Sequence, residues 1–247
     1  MISLKGKLAM VTGAAGVLGQ AITRDLVADG IRVIVVDINL APLQGLVAEI
    51  GDRVIPAAID ISNPKDIADF FIKIREEHGD IDILINNAGL LTKNKAADTS
   101  VEEWRNVMSV NLDGCFYLCR EVLAGMRKNK WGRIINICSL AMKSGGLTAG
   151  TAYTASKGGM GALTFSLARE TAGDGITVNG IAPAYIKTKM VTEQLSEQQR
   201  QELLKEIPVG RFCEGEEISH VVRFLSSPLA GFITGEIIDI NGGLHLD

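Results

Sequence analysis

The sequence has few cysteines and aromatic residues, little net charge, and no long apolar run. Cys115 and Cys119 would share a helix face, but no further cysteine or histidine stands at ligand spacing to complete a metal site. Cys138 sits in an apolar, strand-like run, and Cys213 stands apart. The four are expected to be reduced thiols, mostly buried, in a reducing compartment. Lysine and arginine number 25 against 29 aspartate and glutamate, and the formal net charge of -4 excludes a broad basic footprint for nucleic acid. Apolar runs such as Val33-Ile34-Val35-Val36 are strand-sized, far short of a membrane span. Lys5 and Lys7 precede a short apolar run and a glycine-rich turn, without the longer apolar region and cleavage site of a signal peptide, so the expected location is cytoplasmic.

With 47% hydrophobic and 22% charged residues, the chain can bury a sizeable core as a soluble globular protein. Its 27 glycines point to tight turns and close backbone approaches. Short β-branched runs alternate with helical segments. The runs are Leu8 to Thr12, Ile31 to Val36, Val54 to Ile59, Ile81 to Asn86, Arg133 to Cys138, Ile176 to Ile181 and Glu236 to Ile240. Ile67, Phe70, Phe71 and Ile74 show the helical spacing between two of them. Nearly continuous apolar strands alternating with helices predict an α/β fold: a doubly wound, seven-stranded parallel sheet with helices on both faces. The runs use the whole length without linker, repeat or low-complexity tract, so residues 1–247 are expected to form a single Rossmann domain. In such a sheet, functional residues belong at the carboxyl ends of the strands.

Thr12-Gly13-Ala14-Ala15-Gly16-Val17-Leu18-Gly19 follows the first run and opens a helix. That context suits a pyrophosphate seated on a helix N-terminus, and equally a plain strand-to-helix turn. Asp37, followed by Ile38, ends the second run and shifts the balance. A carboxylate there can accept from adenosine ribose hydroxyls and would repel a 2′-phosphate, which favours NAD(H) over NADP(H). The same Asp37 could instead cap the next helix. Asp60-Ile61, after the third run, could meet an adenine edge or cap the helix beginning near Pro64. Asn86-Asn87-Ala88-Gly89 closes the fourth run, where the amides can satisfy backbone groups and the small residues leave room for a cofactor.

Tyr153 and Lys157, in Tyr-Thr-Ala-Ser-Lys, lie one helical turn apart on one face. A phenol is a poor base at neutral pH, and a fixed ammonium beside it favours the phenolate. Taken alone the pair could be a solvated helix face. Ser139, at the end of the fifth run, can hydrogen-bond a substrate oxygen.

In this order and spacing the residues resemble a short-chain dehydrogenase/reductase of the compact single-domain branch. The resemblance runs from Lys7 to Gly243 through the glycine turn, Asn86-Asn87-Ala88-Gly89, Asn111, Ser139, Tyr153, Lys157, Pro183 with Thr188, and Thr234-Gly235 with Asn241-Gly242-Gly243. Two positions depart from the family pattern: Gly16 comes one place early, with Val17 at the usual glycine site, and Ala184 stands where glycine is usual. The resemblance implies a catalytic set of Asn111, Ser139, Tyr153 and Lys157. Tyr153 exchanges a proton with the substrate oxygen that Ser139 binds, Lys157 holds the nicotinamide ribose, and Asn111 organises a relaying water. Ile186 and Thr188, after Pro183, would contact the carboxamide. The segment Met190 to Ile207 reads as a lid, and the helix Ala152 to Thr171, apolar on more than one face, as part of the interface of a symmetric tetramer. His245 reads as a packing or subunit-contact residue.

The implied reaction interconverts a secondary alcohol and a ketone, with no metal. The groups it is similar to are 3-oxoacyl-carrier-protein reductases and sugar or polyol dehydrogenases. Asp37 argues against the usual NADPH-dependent elongation enzyme, so the expected substrate is a small polyol, sugar or hydroxy acid, held by Lys93 to Lys95, Met142, Lys143, Ser144 and the lid. The alternatives are a 3-oxoacyl-carrier-protein reductase-like enzyme and a non-catalytic dinucleotide-binding regulator.

Overall fold

The computed structural model describes residues 4–188 and 196–246. Seven parallel strands form one sheet in the order β3-β2-β1-β4-β5-β6-β7. They are β1 (Leu8–Thr12), β2 (Arg32–Asp37), β3 (Val54–Ala58), β4 (Ile83–Asn86), β5 (Gly132–Ile137), β6 (Ile176–Pro183) and β7 (Ile237–Ile240). The helices are α1 (Val17–Ala28), α2 (Ala41–Ile50), α3 (Pro64–His78), α4 (Val101–Met108), α5 (Gly114–Asn129), α6 (Ala141–Ser144), α7 (Thr151–Thr171), α8 (Glu197–Glu206) and α9 (Gly215–Ser226).

The strands are apolar throughout because both faces of the sheet are covered. All of β1 and β5 is buried. On one face Met10, Ile34, Leu84 and Ile134 meet Phe71 of α3, Leu118 of α5 and Met160 of α7. On the other, Val11, Val35 and Ile85 meet Ile22 of α1, Leu43 of α2 and Val222 of α9. Removing one such large side chain, Phe71 for example, costs about 3–5 kcal/mol.

Strand order reverses between β1 and β4, which pair directly. The crevice beyond their carboxyl ends is where such sheets receive ligands. Register places the residues around it. Thr12 pairs with Val36, Asn86 with Asn136 and Ile137 with Ile181, so the segments after β1, β2, β4, β5 and β6 all leave the sheet at one level.

Most strand boundaries fall within a residue or two of the sequence reading. Between α4 and α5, Ser109–Asp113 forms a π-turn that no sequence pattern marks. Asn111 sits within it, fully buried. No described helix is long and apolar enough to cross a membrane.

Candidate active site

Two glycines of the turn after β1 are required by close contact. Gly13 has φ +62, and a Cβ there would stand 2.8 Å from the Ala88 Cα. A Cβ on Gly19 would strike the Gly13 carbonyl and stand 2.7 Å from the Ala14 Cα. Gly16 is not constrained in this way: it is the extended N-cap of α1, and its Cβ would meet only the Gly13 oxygen at 3.4 Å. Val17 then opens the helix in ordinary helical geometry, its side chain 40% exposed over the crevice. The displaced glycine therefore leaves the turn intact. Helix α1 has no side-chain cap and no acidic residue in its first turn, so the N–H groups and positive dipole end are left to an anion.

Asp37 does not cap α2, whose N-cap is Leu40. Its carboxylate accepts from the Ala15 N–H at 3.1 Å and the Ile38 N–H at 2.9 Å, which fixes it at the crevice edge with lone pairs to spare. Asp60 does not cap α3 either. Asn63 does so, accepting from the Lys65 N–H, while Asp60 accepts from the Ser62 N–H and hydroxyl.

The two adjacent asparagines take different tasks. Asn87 donates to the carbonyls of Thr12 and Gly13, and its own N–H donates to the Thr12 hydroxyl, tying β4 to β1. Asn86 is buried instead, donating to Asn136 Oδ1 and Cys119 Sγ.

The crevice holds about 710 Å³, and every residue expected at the cofactor lines it: Gly13, Gly16, Val17, Leu18 and Gly19; Asp37 and Ile38; Asp60 and Ile61; Asn87, Ala88 and Gly89; Tyr153 and Lys157; Pro183, Ile186 and Thr188. A bare helix start at one end, a carboxylate beside it and a small-residue floor fit a nicotinamide dinucleotide. Leu90, Asn106 and Val110 also line the crevice; no sequence pattern marks them.

At the other end, Lys157 is only 3% exposed. Its ammonium donates to the Ile137 carbonyl at 2.7 Å and lies 5.8 Å from the Tyr153 ring centroid. No carboxylate is within ion-pair distance of it among the described residues. A Cβ on Gly89 would sit 3.5 Å from Lys157 Nζ, so the crevice floor passes directly by the cation. Ser139 accepts from the Ala141 N–H at 3.1 Å, which leaves its hydroxyl proton to donate. Both Ser139 and Tyr153 face the crevice and a second chamber beside it.

Asn111 does not face the crevice. Its amide donates to the Leu90 carbonyl at 3.0 Å and accepts from the Leu90 N–H at 2.7 Å, and it also donates to Ser156 Oγ. Ser156 donates in turn to the Tyr153 carbonyl at 2.7 Å. The side chain thus ties the crevice floor to α7.

The second chamber holds about 240 Å³ and is mainly apolar, with Leu91, Leu140, Leu147, Ile186, Leu203 and Leu244 in its walls. Lys93 and Ser144 line it, whereas Met142, Lys143 and Lys95 do not. The Met142 methyl packs on Gly161 in the core, Lys143 pairs with Asp239 at 2.6 Å, and Lys95 bonds backbone carbonyls. Of the expected lid, residues 190–195 lie outside the described residues, and α8 contributes Leu203. The His245 carbonyl accepts from Asn241.

Cys115, Cys119 and Cys138 are buried free thiols, and Cys213 is half-buried. Burial pushes the Cys138 thiol up to about 11. No metal-ligand cluster occurs among the described residues.

A family model described as Enoyl-(Acyl carrier protein) reductase matches residues 13–245. The chain is 40% identical to the 3-oxoacyl-(acyl-carrier-protein) reductase FabG of Vibrio cholerae, with 99% of this chain and 100% of that one covered. It is 38% identical to the FabG reductase of Escherichia coli over the same shares of both chains. The crystal structure of gox2181 superposes with a TM-score of 0.93 at 30% identity, covering 98% of this chain and 96% of that one.

Proposed function

This chain belongs to the short-chain dehydrogenase/reductase family, and from that premise we propose that it is an NAD(H)-dependent reductase of 3-oxoacyl thioesters. The observation that carries the substrate is the apolar chamber opening beside Ser139 and Tyr153. Leucine and isoleucine walls suit an acyl chain and offer a polyol or sugar few partners for its hydroxyls. The names of the relatives support the same class. The expectation of a small polyol, sugar or hydroxy acid finds no support in these features and gives way to the 3-oxoacyl alternative.

When bound, the nicotinamide supplies the hydride. The protein's part is position and proton transfer. The Ser139 hydroxyl donates to the keto oxygen, and Tyr153 delivers the proton to that oxygen as the carbonyl carbon is reduced. The Lys157 cation near the ring stabilises negative charge developing on the phenol oxygen. Its remaining donors suit the nicotinamide ribose. Asn111 supports the site through Leu90 and Ser156, and the π-turn around it suits a backbone-held water that returns the proton past Lys157. Asp37 supports NAD(H), because a 2′-phosphate would meet a carboxylate already fixed in place.

The test is kcat/KM with NADH for acetoacetyl-coenzyme A, crotonyl-coenzyme A, simple ketones, polyols and hydroxy acids. The 3-oxoacyl thioester should exceed the others by about tenfold or more, since each well-filled apolar contact contributes about 1–3 kcal/mol. A polyol turned over best would overturn the substrate reading, and the enoyl thioester turned over best would replace carbonyl chemistry with double-bond reduction.

A single catalytic domain assembled as a symmetric tetramer completes the proposal. Phe116 on α5 and Phe165 on α7 are 42% and 50% exposed in the single chain, as expected of faces that meet another subunit. Light scattering checks the assembly; a monomer at micromolar concentration would contradict it.

A further inference from the structure

We propose that Lys95 is a positioning residue, which holds the acyl-chamber wall and the start of the helix carrying Tyr153. The inference rests on the reading of Ser139 and Tyr153 as the reactive pair. Its chemistry is direct. The Lys95 ammonium donates to the carbonyls of Gly146 at 2.6 Å and Ala149 at 2.7 Å. Between those two carbonyls lie Leu147 and Thr148, and both line the chamber, as does Ala149. One cation therefore pins both ends of the wall segment, through charge-assisted bonds stronger than neutral ones.

The backbone beside Lys95 completes the clamp. The Gly150 N–H donates to the Thr92 carbonyl at 2.6 Å, and the Thr151 N–H donates to the Asn94 carbonyl at 2.9 Å. Gly150 is the N-cap of α7 and brings no side chain to cap it, so the segment after β4 supplies acceptors at this helix start. A Cβ on Gly150 would stand 2.7 Å from the Asn94 oxygen and 2.9 Å from the Thr92 oxygen. The approach is close enough that only glycine fits. Gly146 is likewise constrained, with φ +75 and Thr154 packed against it.

The segment bearing Lys95 begins at the crevice floor. Asn87, Ala88 and Gly89 line the dinucleotide crevice, and Leu90 is held by Asn111. The run 87–95 thus joins the cofactor floor to the wall that faces the acyl group. Lys95 itself lines neither cavity. Its loss should therefore act on the acyl substrate and on Tyr153 placement, and leave dinucleotide affinity alone.

The test compares Lys95→Met and Lys95→Arg with the parent in steady-state kinetics, NADH titration, thermal melting and amide hydrogen exchange over residues 146–151. Lys95→Met should speed exchange at Gly150 and Thr151 and lower kcat/KM for acetoacetyl-coenzyme A about tenfold or more, since a misplacement near 1 Å can cost a hundredfold. NADH affinity should stay within about twofold of the parent. Lys95→Arg, which keeps donors for both carbonyls, should recover most of the loss. Unchanged exchange, parental kcat/KM in Lys95→Met, or NADH affinity and melting temperature falling as far as turnover would each overturn the assignment. A parent inert toward 3-oxoacyl thioesters counts against the proposed function alone; the Lys95 comparison then uses the ketone the parent does reduce, with the same criteria.

Discussion

The Asp37 carboxylate accepts a hydrogen bond from the Ala15 N–H at 3.1 Å, so the acidic residue ending β2 and the glycine-rich turn after β1 hold one another in place. Cofactor choice and turn geometry are thereby linked. Asp37→Ser should lower kcat/KM for NADH by about tenfold or more, the scale of a lost hydrogen bond to a charged group. It should also raise the relative use of NADPH. Steady-state kinetics with both dinucleotides decides it, and a parent that already prefers NADPH would refute the argument from charge.

Tyr153→Phe keeps the ring and removes the proton. NADH should bind as in the parent, followed by its fluorescence, while kcat falls by about 10²–10⁴, the usual worth of a positioned acid. Turnover near the parental rate would remove Tyr153 from the mechanism.

The two structural glycines of the turn can be told apart from the third by stability. A methyl at Gly19 must displace backbone at Gly13 and Ala14, so Gly19→Ala should lose about 1–3 kcal/mol in urea unfolding. Gly16→Ala meets only an ordinary contact and should lose less than about 1 kcal/mol as an N-cap change. Equal losses would mean that the turn is held differently.

The thiols should be silent in the native protein. Burial, with the Glu217 carboxylate next in effect, pushes the Cys213 thiol up to about 11. At pH 8 its thiolate fraction is then about one part in a thousand, and only the thiolate reacts. Cys115, Cys119 and Cys138 are buried. A disulfide-exchange reagent should therefore titrate four thiols in urea and almost none in the native state at pH 8, with Cys213 reacting faster as pH rises toward 11. A rapid native equivalent at pH 8 would contradict the burial described.

Much of the fold can be read from the chain because strands buried on both faces must be apolar runs, and the glycines and carboxylates at their ends are few. The residues lining the dinucleotide crevice follow from that placement. The second chamber does not. Its walls are ordinary leucines from separate segments, Leu91 after β4, Leu147 before α7, Leu203 in α8 and Leu244 near the end, and no local pattern distinguishes them from core. Side-chain direction is equally hidden: Met142 and Lys143 come three and four residues after Ser139, yet one packs on Gly161 and the other pairs with Asp239. The π-turn that holds Asn111 has no composition of its own, so nothing in the chain marks it. Thr12 is legible only as a strand end, although its hydroxyl accepts from the N–H groups of both Asn87 and Ala88.

The π-turn at Ser109–Asp113 holds one residue more than a regular helix would need between α4 and α5. Each residue advances an α-helix by about 100°, so one residue added to a regular helix would swing everything downstream by that angle, whereas the widened turn takes it up and keeps α5 in phase with α4. Gly114, which fits against the Ile61 carbonyl because it has no Cβ, and the stripe holding Leu118 and Val122 stay on their faces because the turn absorbs the surplus. Deleting one amino acid there would close α4 and α5 into one regular helix, and the loss would fall on the widening that carries Asn111 and not on the packing of α5.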